Sequence, residues 1–393
     1  MRVIIAETID WNTTARVGNH HYAARFLERG VQVLWMSQYL HPLSLITGER
    51  ERTLRALKFW RGAAQAQNPG LVLYTPFTLL PCRPYRMLDG EAIAWRSLRA
   101  TVPPLRSILR RLGFDRPDVL WISNPLLAGL ADLTSYGVFV LRIKDRYSAF
   151  GNMPRCAEAL ERVLIERADI VYATSRALMT GIEPIGKKVV YLPNGVDFAH
   201  FHKPAGMPGE YRHIASPRVL YSGAIEDWFD VELLAAVARG LPGVSFVLVG
   251  SHRHIDLGEL AGLENVHLLG PRPYADLAGY YQHADAAVIP FKINRLTEAV
   301  NPVKLYEYFA AGLPTISTPL PEVKQFEPLV KIAKGHEEFA AAVREAVQEG
   351  GDALLEDRLQ CARSNSWDGR FEEVWNHIGD VRQRKTCLTG AQV

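Results

Sequence analysis

The sequence predicts an α/β protein with two doubly wound parallel sheets, and three observations lead to this prediction. The chain of 393 residues exceeds the roughly 250 to 300 residues at which a single hydrophobic core stops growing. Short β-branched runs alternate with helical patterns along the chain, which is typical of βα units. A segment rich in Pro, Gly and His at residues 198–217 interrupts this alternation. We therefore predict two Rossmann-like domains joined by a linker at 198–217.

The predicted strands are short runs of β-branched, leucine and aromatic residues, and the predicted helices repeat apolar residues at three- and four-residue spacing. In the first half the strands are RVIIAE, VQVLWMS, LVLYT, DVLWIS, GVFVLRI, DIVYAT and KVVYLP, and the helices are HHYAARFLERG, LRSILRRLG and MPRCAEALERVLIERA. In the second half the strands are RVLYSGAI, VSFVLVGS, VHLLG, AAVIPF, PTIST and LVKIA, and the helices are DVELLAAVARG, YADLAGYYQHA, PVKLYEYFAAG and EEFAAAVREAVQEG. The expected domains are 1–197 and 218–365, followed at 366–393 by a terminal helix and a disordered polar tail.

The charge of the chain is nearly balanced overall but not locally. A formal net charge of +3 is too small to indicate nucleic acid, so we expect no such partner. Residues 50–116 nevertheless hold thirteen Lys and Arg against four Asp and Glu, interleaved with aromatic and leucine residues. This mixture suits an anionic membrane surface or a phosphorylated lipid. A solvated face of ordinary helices remains the alternative.

The four cysteines predict neither a metal site nor a disulfide framework. They are scattered along the chain, without a CxxC pair, at Cys82, Cys156, Cys361 and Cys387. The first residues enter a strand-like run without the apolar stretch of a signal peptide, and no run approaches the roughly 18 apolar residues of a membrane span. We expect a cytoplasmic protein that is at most peripheral to a membrane.

The stretch NPVKLYEYFAAGLP predicts a helix with an anion-binding start. Asn301 is a favourable N-cap, and Pro302 is well tolerated as the first helical residue. The free amides and the positive dipole end would then face a phosphate, with Lys304 adding a charge. Glu307 lies one turn further on and could accept hydrogen bonds from a pair of sugar hydroxyls. The pattern therefore favours a nucleotide site, against the alternative of an exposed Lys304–Glu307 ion pair.

A second candidate phosphate contact is the turn YSGAIEDWFD. Gly223 follows a predicted strand and permits close approach of backbone amides to a phosphate, although a packing role is equally compatible with one glycine. Neither GxGxxG nor GxxxxGK[ST] occurs here, which argues against a dinucleotide dehydrogenase and a P-loop ATPase.

The first half offers a candidate catalytic group in GVFVLRIKDRYSAF. Asp145 follows a buried-looking strand, whose carboxyl end points into the crevice of a parallel sheet, so it could act as a general base. The neighbouring cations Arg142, Lys144 and Arg146 predict a lowered pKa for Asp145. A structural salt bridge to Arg142 or Arg146 is the alternative.

The loop ETIDWNTTARVGNHHYAARF joins the first strand to a helix and is rich in groups that can bind a ligand. Asn12, Arg16 and His20 are the candidates from this loop, and Arg142 joins them from the strand described above. A histidine in this setting is more often a cap or surface residue than a base. No histidine spacing suited to a metal is present.

Five segments occur in a recognisable order: LPNGVD, LYSG, FVLVGS, VHLLGPRPYADLAGYYQHADAAVIPF and NPVKLYEYFAAGLPTIST. This order resembles the nucleotide-sugar domain of GT-B glycosyltransferases, especially bacterial polysaccharide and cell-wall enzymes of the family 4 type. The likeness covers roughly residues 170–375 and implies two Rossmann-like domains that face a cleft. The RxxD spacing before Asp145 also resembles inverting glucuronosyltransferases of xanthan-type assembly, in which the aspartate is the base.

The resemblance implies roles for residues of the second half. Glu307 would bind the donor ribose, Lys304 would lie near the diphosphate with Asn301 at the helix start, and Gly223 would approach the same phosphates. In the loop Gly270–Tyr274, Arg272 and Tyr274 would flank the base, and SWDGRFEEVWNHI would form the terminal helix that crosses back to the first domain. The acceptor would bind the first domain. GT-B enzymes generally work without a metal, so no metal and no cofactor is expected.

We predict a glycosyltransferase that moves a sugar from a nucleotide-diphosphate donor to a lipid-linked or polysaccharide acceptor in bacterial cell-surface glycan synthesis. The expected donor is a UDP-sugar. One alternative is a nucleotide-sugar epimerase of the same fold. Another is a noncatalytic scaffold that binds sugar or lipid, because Ala299 stands where the family commonly has a second glutamate.

Overall fold

The computed structural model describes residues 1–14, 16–45, 68–85, 87–151, 153–182, 185–252, 255–348 and 353–390. The chain divides into two compact units. The first unit comprises Met1–Thr13, Val17–Leu192 and Phe371–Val393, and the second comprises Thr14–Arg16 and Pro193–Arg370.

The segment 198–217 differs from its prediction as a linker, because it packs within the second unit. It contains the helix Phe198–His202 and a 3-10 turn at Gly209–Arg212. Phe201 and Tyr211 are buried in the core of that unit. Aromatic residues spaced without periodicity are invisible to a pattern search, yet they anchor the segment.

The first unit is built on a seven-stranded parallel sheet in the order β3-β2-β1-β4-β5-β6-β7. Its strands are β1 Arg2–Glu7, β2 Gln32–Ser37, β3 Leu71–Tyr74, β4 Val119–Ile122, β5 Val138–Ile143, β6 Ile170–Ala173 and β7 Val189–Tyr191. Central strand β1 places Ile4 opposite Leu34 of β2 and Leu120 of β4. The strand order reverses between β1 and β4, and ligands bind at such a switch point, outside the carboxyl ends of the strands.

The described residues of the first unit up to Leu192 contain six α-helices. They are α1 Gly18–Glu28, α2 Glu91–Ser97, α3 Leu105–Leu112, α4 Leu130–Leu133, α5 Ala157–Arg167 and α6 Arg176–Ile182. Of these, α1, α3 and α5 were predicted. Helix α3 buries Leu105, Ile108 and Leu109 and ends at Gly113, whose φ of 76° is the left-handed conformation of a C-cap.

The second unit is built on a six-stranded parallel sheet in the order β10-β9-β8-β11-β12-β13. Its strands are β8 Arg218–Ser222, β9 Ser245–Val249, β10 Val266–Leu268, β11 Ala286–Ile289, β12 Thr315–Ser317 and β13 Val330–Ile332. Its helices are α7 Phe198–His202, α8 Val231–Gly240, α9 Leu277–Gln282, α10 Val303–Ala310, α11 Pro321–Lys324, α12 Gly335–Gln348 and α13 Leu355–Ser364. The strand order reverses between β8 and β11, so the carboxyl end of β8 lies at the switch point.

The C-terminal helix α14, Trp367–Gly390, corrects the prediction of a disordered tail. The polar residues after 382 continue the helix because their cations bond to the first unit. Lys385 donates to Asp169 Oδ2 at 2.7 Å and to the carbonyl of Gly137 at 2.8 Å. Arg382 reaches Asp118 at 3.1 Å. Residues 391–393 of the predicted tail lie outside the described residues.

None of the helices in the described ranges is both long and apolar enough to cross a membrane.

Candidate functional site

The start of α10 is organised differently from the prediction. The helix begins at Val303, and Pro302 occupies the N-cap position in an extended conformation without a side-chain cap. Asn301 does not cap the helix. Its Oδ1 accepts from the backbone amide of Asn194 at 3.0 Å, and its Nδ2 donates to Tyr306 and Glu322. Asn301 is buried, and it holds the loop after β7 against the loop before α10.

Lys304 lies in a pocket of aromatic rings beside the end of β8. Its Nζ donates to the hydroxyl of Tyr221 at 3.1 Å and lies 4.2 Å from the centre of the Tyr221 ring and 4.6 Å from that of Phe291. Burial lowers the pKa of Lys304 to about 7, although the nearby Glu307 carboxyl acts in the opposite direction. Among the described residues, the ammonium is held by π faces and a tyrosine hydroxyl and not by an anion.

Gly223 makes room for this lysine. A Cβ added to Gly223 would lie 2.8 Å from Lys304 Nζ, and its φ of 126° is one that other residues rarely adopt. The same turn lies close to the end of β9, because a Cβ on Gly250 would come within 1.8 Å of the Gly223 carbonyl oxygen. The structure thus brings together two residues that the sequence singled out separately, Gly223 and Lys304.

Glu307 is buried one turn along α10 and belongs to a network of hydroxyls. The hydroxyl of Tyr281 donates to Glu307 Oε2 at 3.0 Å and also contacts Ser222 Oγ. The backbone amide of Ser222 donates to the hydroxyl of Tyr308 at 2.9 Å. Burial raises the pKa of Glu307 to about 7, while the Tyr281 hydrogen bond and Lys304 oppose this shift. The network ties the carboxyl group to the last residue of β8.

The two charged groups of α10 are therefore held separately. Lys304 bonds to Tyr221 and Glu307 bonds to Tyr281, and within the described residues no ion pair joins them. The predicted alternative of an exposed ion pair does not describe this arrangement. A cation beside free helix amides suits an anion, and a neighbouring carboxyl suits hydroxyl donors.

Ala299, which precedes this helix, is fully buried. A longer acidic side chain there would have to displace packed neighbours or move its backbone. The position therefore holds a core methyl group where the resemblance to glycosyltransferases implied a second glutamate.

The predicted base-flanking loop places Arg272 and Tyr274 in different settings. Arg272 is engaged within the protein: it pairs with Glu210 at 2.8 Å and donates to the Tyr280 hydroxyl at 3.0 Å. The ring of Tyr274 stacks on His200 with centroids 4.7 Å apart and planes 14° apart. Arg16, which groups with the same unit, lies 6.0 Å from the centre of the Tyr274 ring.

In the first unit, Asp145 follows β5 at the carboxyl edge of the sheet. The predicted lowering of its pKa is wrong. Burial raises the pKa of Asp145, which outweighs Lys144 and Arg142, and the carboxylate of Glu7 adds to the rise. A carboxylate with a raised pKa is a stronger base than the sequence suggested.

Glu7, at the end of β1, is a residue that the sequence reasoning missed. Its buried carboxylate accepts from Lys144 Nζ at 2.5 Å, from Asn19 Nδ2 at 2.7 Å and from the amide of Thr8 at 2.6 Å. Asn19 also donates to Ser123 Oγ, just after β4, at 2.8 Å. This network joins the ends of β1, β4 and β5 beside Asp145. Its sequence signal was a charged residue closing an otherwise apolar strand.

The predicted acceptor-binding residues differ in accessibility. Asn12 lies exposed in the loop after β1, where its backbone N–H donates to Asp10 Oδ1 at 2.9 Å. His20 is buried, with its ring 5.1 Å from Trp11 and 4.5 Å from Trp35, and its Nδ1 accepts from the amide of Val17.

Arg142 is likewise buried, with its guanidinium 5.4 Å from the centre of the Tyr22 ring. The guanidinium of Arg146 donates to the carbonyl of Ala177 at 3.5 Å.

Comparison with known proteins gives one family match and several structural neighbours. Residues 216–349 match the family described as Glycosyl transferases group 1. The chain is 26% identical over 285 residues to "Putative teichuronic acid biosynthesis glycosyltransferase TuaH" of Bacillus subtilis (strain 168), a match that covers 66% of this chain and 71% of TuaH.

The solved structures similar to this chain include a complex with UDP and glucose and a glycosyltransferase of lipopolysaccharide biosynthesis. Anabaena Alr3699/HepE in complex with UDP and glucose has a TM-score of 0.65 at 14% identity, covering 97% of this chain and 100% of that one. WaaG, a glycosyltransferase involved in lipopolysaccharide biosynthesis, has a TM-score of 0.62 at 14% identity, covering 96% and 99%. The family match and these folds confirm the GT-B architecture and the GT-B glycosyltransferase resemblance. The likeness to xanthan-type enzymes stays a prediction.

Proposed function

We propose that this chain, a GT-B glycosyltransferase, moves a sugar from a UDP-linked donor to a lipid-linked or polysaccharide acceptor at the inner face of a bacterial membrane. The relatives support this direction. TuaH is described as acting in teichuronic acid biosynthesis, WaaG in lipopolysaccharide biosynthesis, and the HepE complex holds UDP and glucose. The product would be a cell-surface glycan.

One observation above all supports the donor site: Lys304 is a half-buried cation bonded to a tyrosine hydroxyl and to no carboxylate among the described residues. A diphosphate bound over Gly223 would meet this ammonium and the free amides that begin α10. Such groups stabilise the negative charge that develops as the diphosphate leaves. Glu307 would accept hydrogen bonds from the ribose hydroxyls, and Tyr274 would contact the base, with Arg272 and Asn301 supporting the surrounding loops.

The acceptor is proposed to bind the first unit. Asp145 would take the proton of the attacking hydroxyl if the reaction inverts configuration, and would orient the substrate if it does not. Asn12 would contact the acceptor, and the buried His20 and Arg142 would shape the surface from beneath. Arg16, predicted with this group, belongs to the second unit. We propose that no metal takes part, since Lys304 and the helix amides neutralise the diphosphate. Turnover should then be unchanged by EDTA.

Calorimetric titration with UDP tests the donor site. Wild type should bind UDP, Lys304→Ala should bind at least about tenfold more weakly, and the matched variant Lys324→Ala, at an exposed lysine of the same unit, should bind as wild type does. Failure of wild type to bind UDP would contradict the proposal and favour the noncatalytic scaffold. New UDP-sugar isomers formed without acceptor would favour the epimerase.

A further inference from the structure

One segment of the first unit, residues 79–102, exposes apolar side chains to an unusual degree. Met87 is 87% exposed, Leu79 62%, Tyr85 61% and Val102 45%. The other exposed large hydrophobic side chains in the described ranges are Met207, Ile293 and Leu355, which are scattered along the second unit. Single exposed residues are common, but four within a stretch of 24 residues mark a candidate interaction surface. We name Leu79, Tyr85, Met87 and Val102 the apolar face.

Local bonds hold the backbone that carries Tyr85 and Met87. The amide of Leu88 donates to the carbonyl of Tyr85 at 2.6 Å, and the amide of Arg83 donates to the carbonyl of Leu88 at 3.1 Å, which closes a tight turn. Cys82, just before the turn, is buried and donates from its amide to the Tyr39 hydroxyl at 3.1 Å.

The far end of the turn is fixed by Asp89. Its carboxylate accepts from the amides of Arg155 at 3.0 Å and Cys156 at 3.1 Å. The turn is therefore bonded on both sides while its apolar side chains remain in solvent.

Leu79 and Val102 extend this face across two paired segments. The amide of Leu79 donates to the carbonyl of Ala100 at 3.0 Å, and the amide of Val102 donates to the carbonyl of Phe77 at 2.9 Å. A cavity of about 320 Å³ lies close in sequence to Val102, and its lining includes leucines together with Arg99 and Arg106. The same stretch of chain thus supplies both apolar and guanidinium groups.

The stretch of sequence that carries the apolar face is strongly basic. Residues 78–116 contain eight arginines against three acidic residues. An acidic residue of this unit, Asp132, is shared by Arg99 and Arg167. Arginine keeps its charge in every physiological condition and can contact lipid phosphates while its stem lies along apolar surface. Exposed apolar side chains together with arginines are complementary to a surface that is anionic outside and apolar just beneath.

We propose that the apolar face docks on an anionic phospholipid bilayer, with Tyr85 and Met87 entering the headgroup region and arginines of the same stretch of chain contacting lipid phosphates. A tyrosine with an apolar body and a polar tip suits this depth. The inference deepens the membrane contact included in the proposed function, since it assigns that contact to a defined loop. It needs neither donor nor acceptor, so its test is separate from the UDP titration.

Vesicle sedimentation of the full chain without substrate tests the docking. On vesicles of phosphatidylglycerol and phosphatidylcholine, wild type should bind at least about tenfold more tightly than on phosphatidylcholine alone. The variant Tyr85→Ser/Met87→Ser should lose at least about tenfold in partitioning, because two exposed apolar groups no longer enter the interface. The matched variant Met207→Ser/Ile293→Ser, which removes two exposed apolar groups of the second unit, should bind as wild type does.

The loop variant should retain wild-type UDP binding and melting temperature, which separates docking from misfolding. Raising the salt from about 0.1 to about 0.5 M should weaken wild-type binding through screening, yet the ratio between wild type and loop variant should persist because apolar contact is not screened. The proposal is overturned if wild type does not sediment with anionic vesicles, which would leave an acidic protein as the occupant. It is also overturned if the loop variant binds as wild type does, or if the control variant loses as much.

Discussion

Each unit holds a half-buried lysine and a buried glutamate near the carboxyl ends of its strands, but the contacts of these charges differ between the two units. In the first unit Lys144 contacts Glu7 directly at 2.5 Å. In the second unit Lys304 and Glu307 lie on one helix, yet each bonds to a tyrosine hydroxyl. We call Lys144 and Glu7 the closed pair, because their charges contact each other, and Lys304 and Glu307 the open pair, because theirs do not.

The difference indicates which charges are available to a ligand. Glu7 and Lys144 neutralise one another, and further donors complete the coordination of the Glu7 carboxylate. The open pair carries pKa values displaced to about 7 for both Lys304 and Glu307, because burial is not compensated by close pairing. Perturbed groups of this kind cluster at binding and catalytic sites. The closed pair therefore has a structural role beside a site, whereas the charges of the open pair are available to bind a ligand.

The largest expected effect concerns Asp145, the carboxyl group beside the closed pair. Asp145→Asn should lower kcat by about a hundredfold or more if the group is the base, with little change in donor KM. Because its pKa is raised, wild-type kcat should fall as pH drops through a value above the ordinary aspartate range. Glu158→Gln, at an exposed acid of α5, is the control and should leave kcat unchanged. A loss below tenfold for Asp145→Asn would assign it a supporting role.

The closed pair should show its character in stability. Glu7→Gln leaves Lys144 as a buried cation without its anion, so unfolding free energy should fall by about 3 kcal/mol in urea titration. The double variant Glu7→Gln/Lys144→Met removes both charges and should recover a large part of the loss. The open pair should behave differently: Lys304→Met should not destabilise the fold. If the double variant is no more stable than Glu7→Gln, the direct pairing is refuted.

The open pair should make UDP binding depend on pH. A bound diphosphate favours the ammonium form of Lys304, whereas in the free protein the pKa is lowered to about 7. Affinity should therefore weaken as pH rises above 7, by up to about tenfold per pH unit. Calorimetric titrations with UDP between pH 7 and pH 9, above the pKa of Lys304, measure this change in affinity. Lys304→Met should remove this dependence, and a flat profile in wild type would contradict it.

The smallest expected effect is that of Glu307→Gln. Loss of a carboxylate acceptor should weaken UDP binding by about fivefold to tenfold. UDP lacking both ribose hydroxyls should bind wild type and variant equally, and any difference would remove Glu307 from the ribose contact. Because the pKa of Glu307 is raised in the fold, its stabilising contribution is present at low pH and is lost as pH rises through about 7. The variant should therefore be at least as stable as wild type at alkaline pH.

The sequence was sufficient for the sheets but not for all of the helices. Each strand of the described chain falls within a predicted run, because a buried parallel strand is a short continuous apolar segment that is readable by itself. Short helices such as Leu130–Leu133 and Pro321–Lys324 were missed, since four residues contain no full amphipathic period. The last turns of α14 were missed because their stability comes from ion pairs with distant residues.

In the candidate site, too, only the features that depend on local spacing could be predicted from the sequence. Lys304 and Glu307 could be predicted because one helical turn carries both. The Lys144–Glu7 contact joins residues 137 apart, and the Tyr281–Glu307 contact joins residues 26 apart, so neither follows from local spacing. The pKa of Asp145 was predicted in the wrong direction for a related reason. Neighbouring cations are visible in the sequence, but burial is a property of the fold.

Helix α14 limits which fragments of the protein can fold by themselves. Phe26 of α1 is fully buried, with its ring 4.9 Å from Phe371 and 6.2 Å from Trp375, and Arg29 lies over both of those rings. A fragment that stops at residue 192 would expose this aromatic patch to water. The first unit is thus completed by residues that follow the whole second unit in the sequence, so its isolated form requires a synthetic peptide of that helix added in trans.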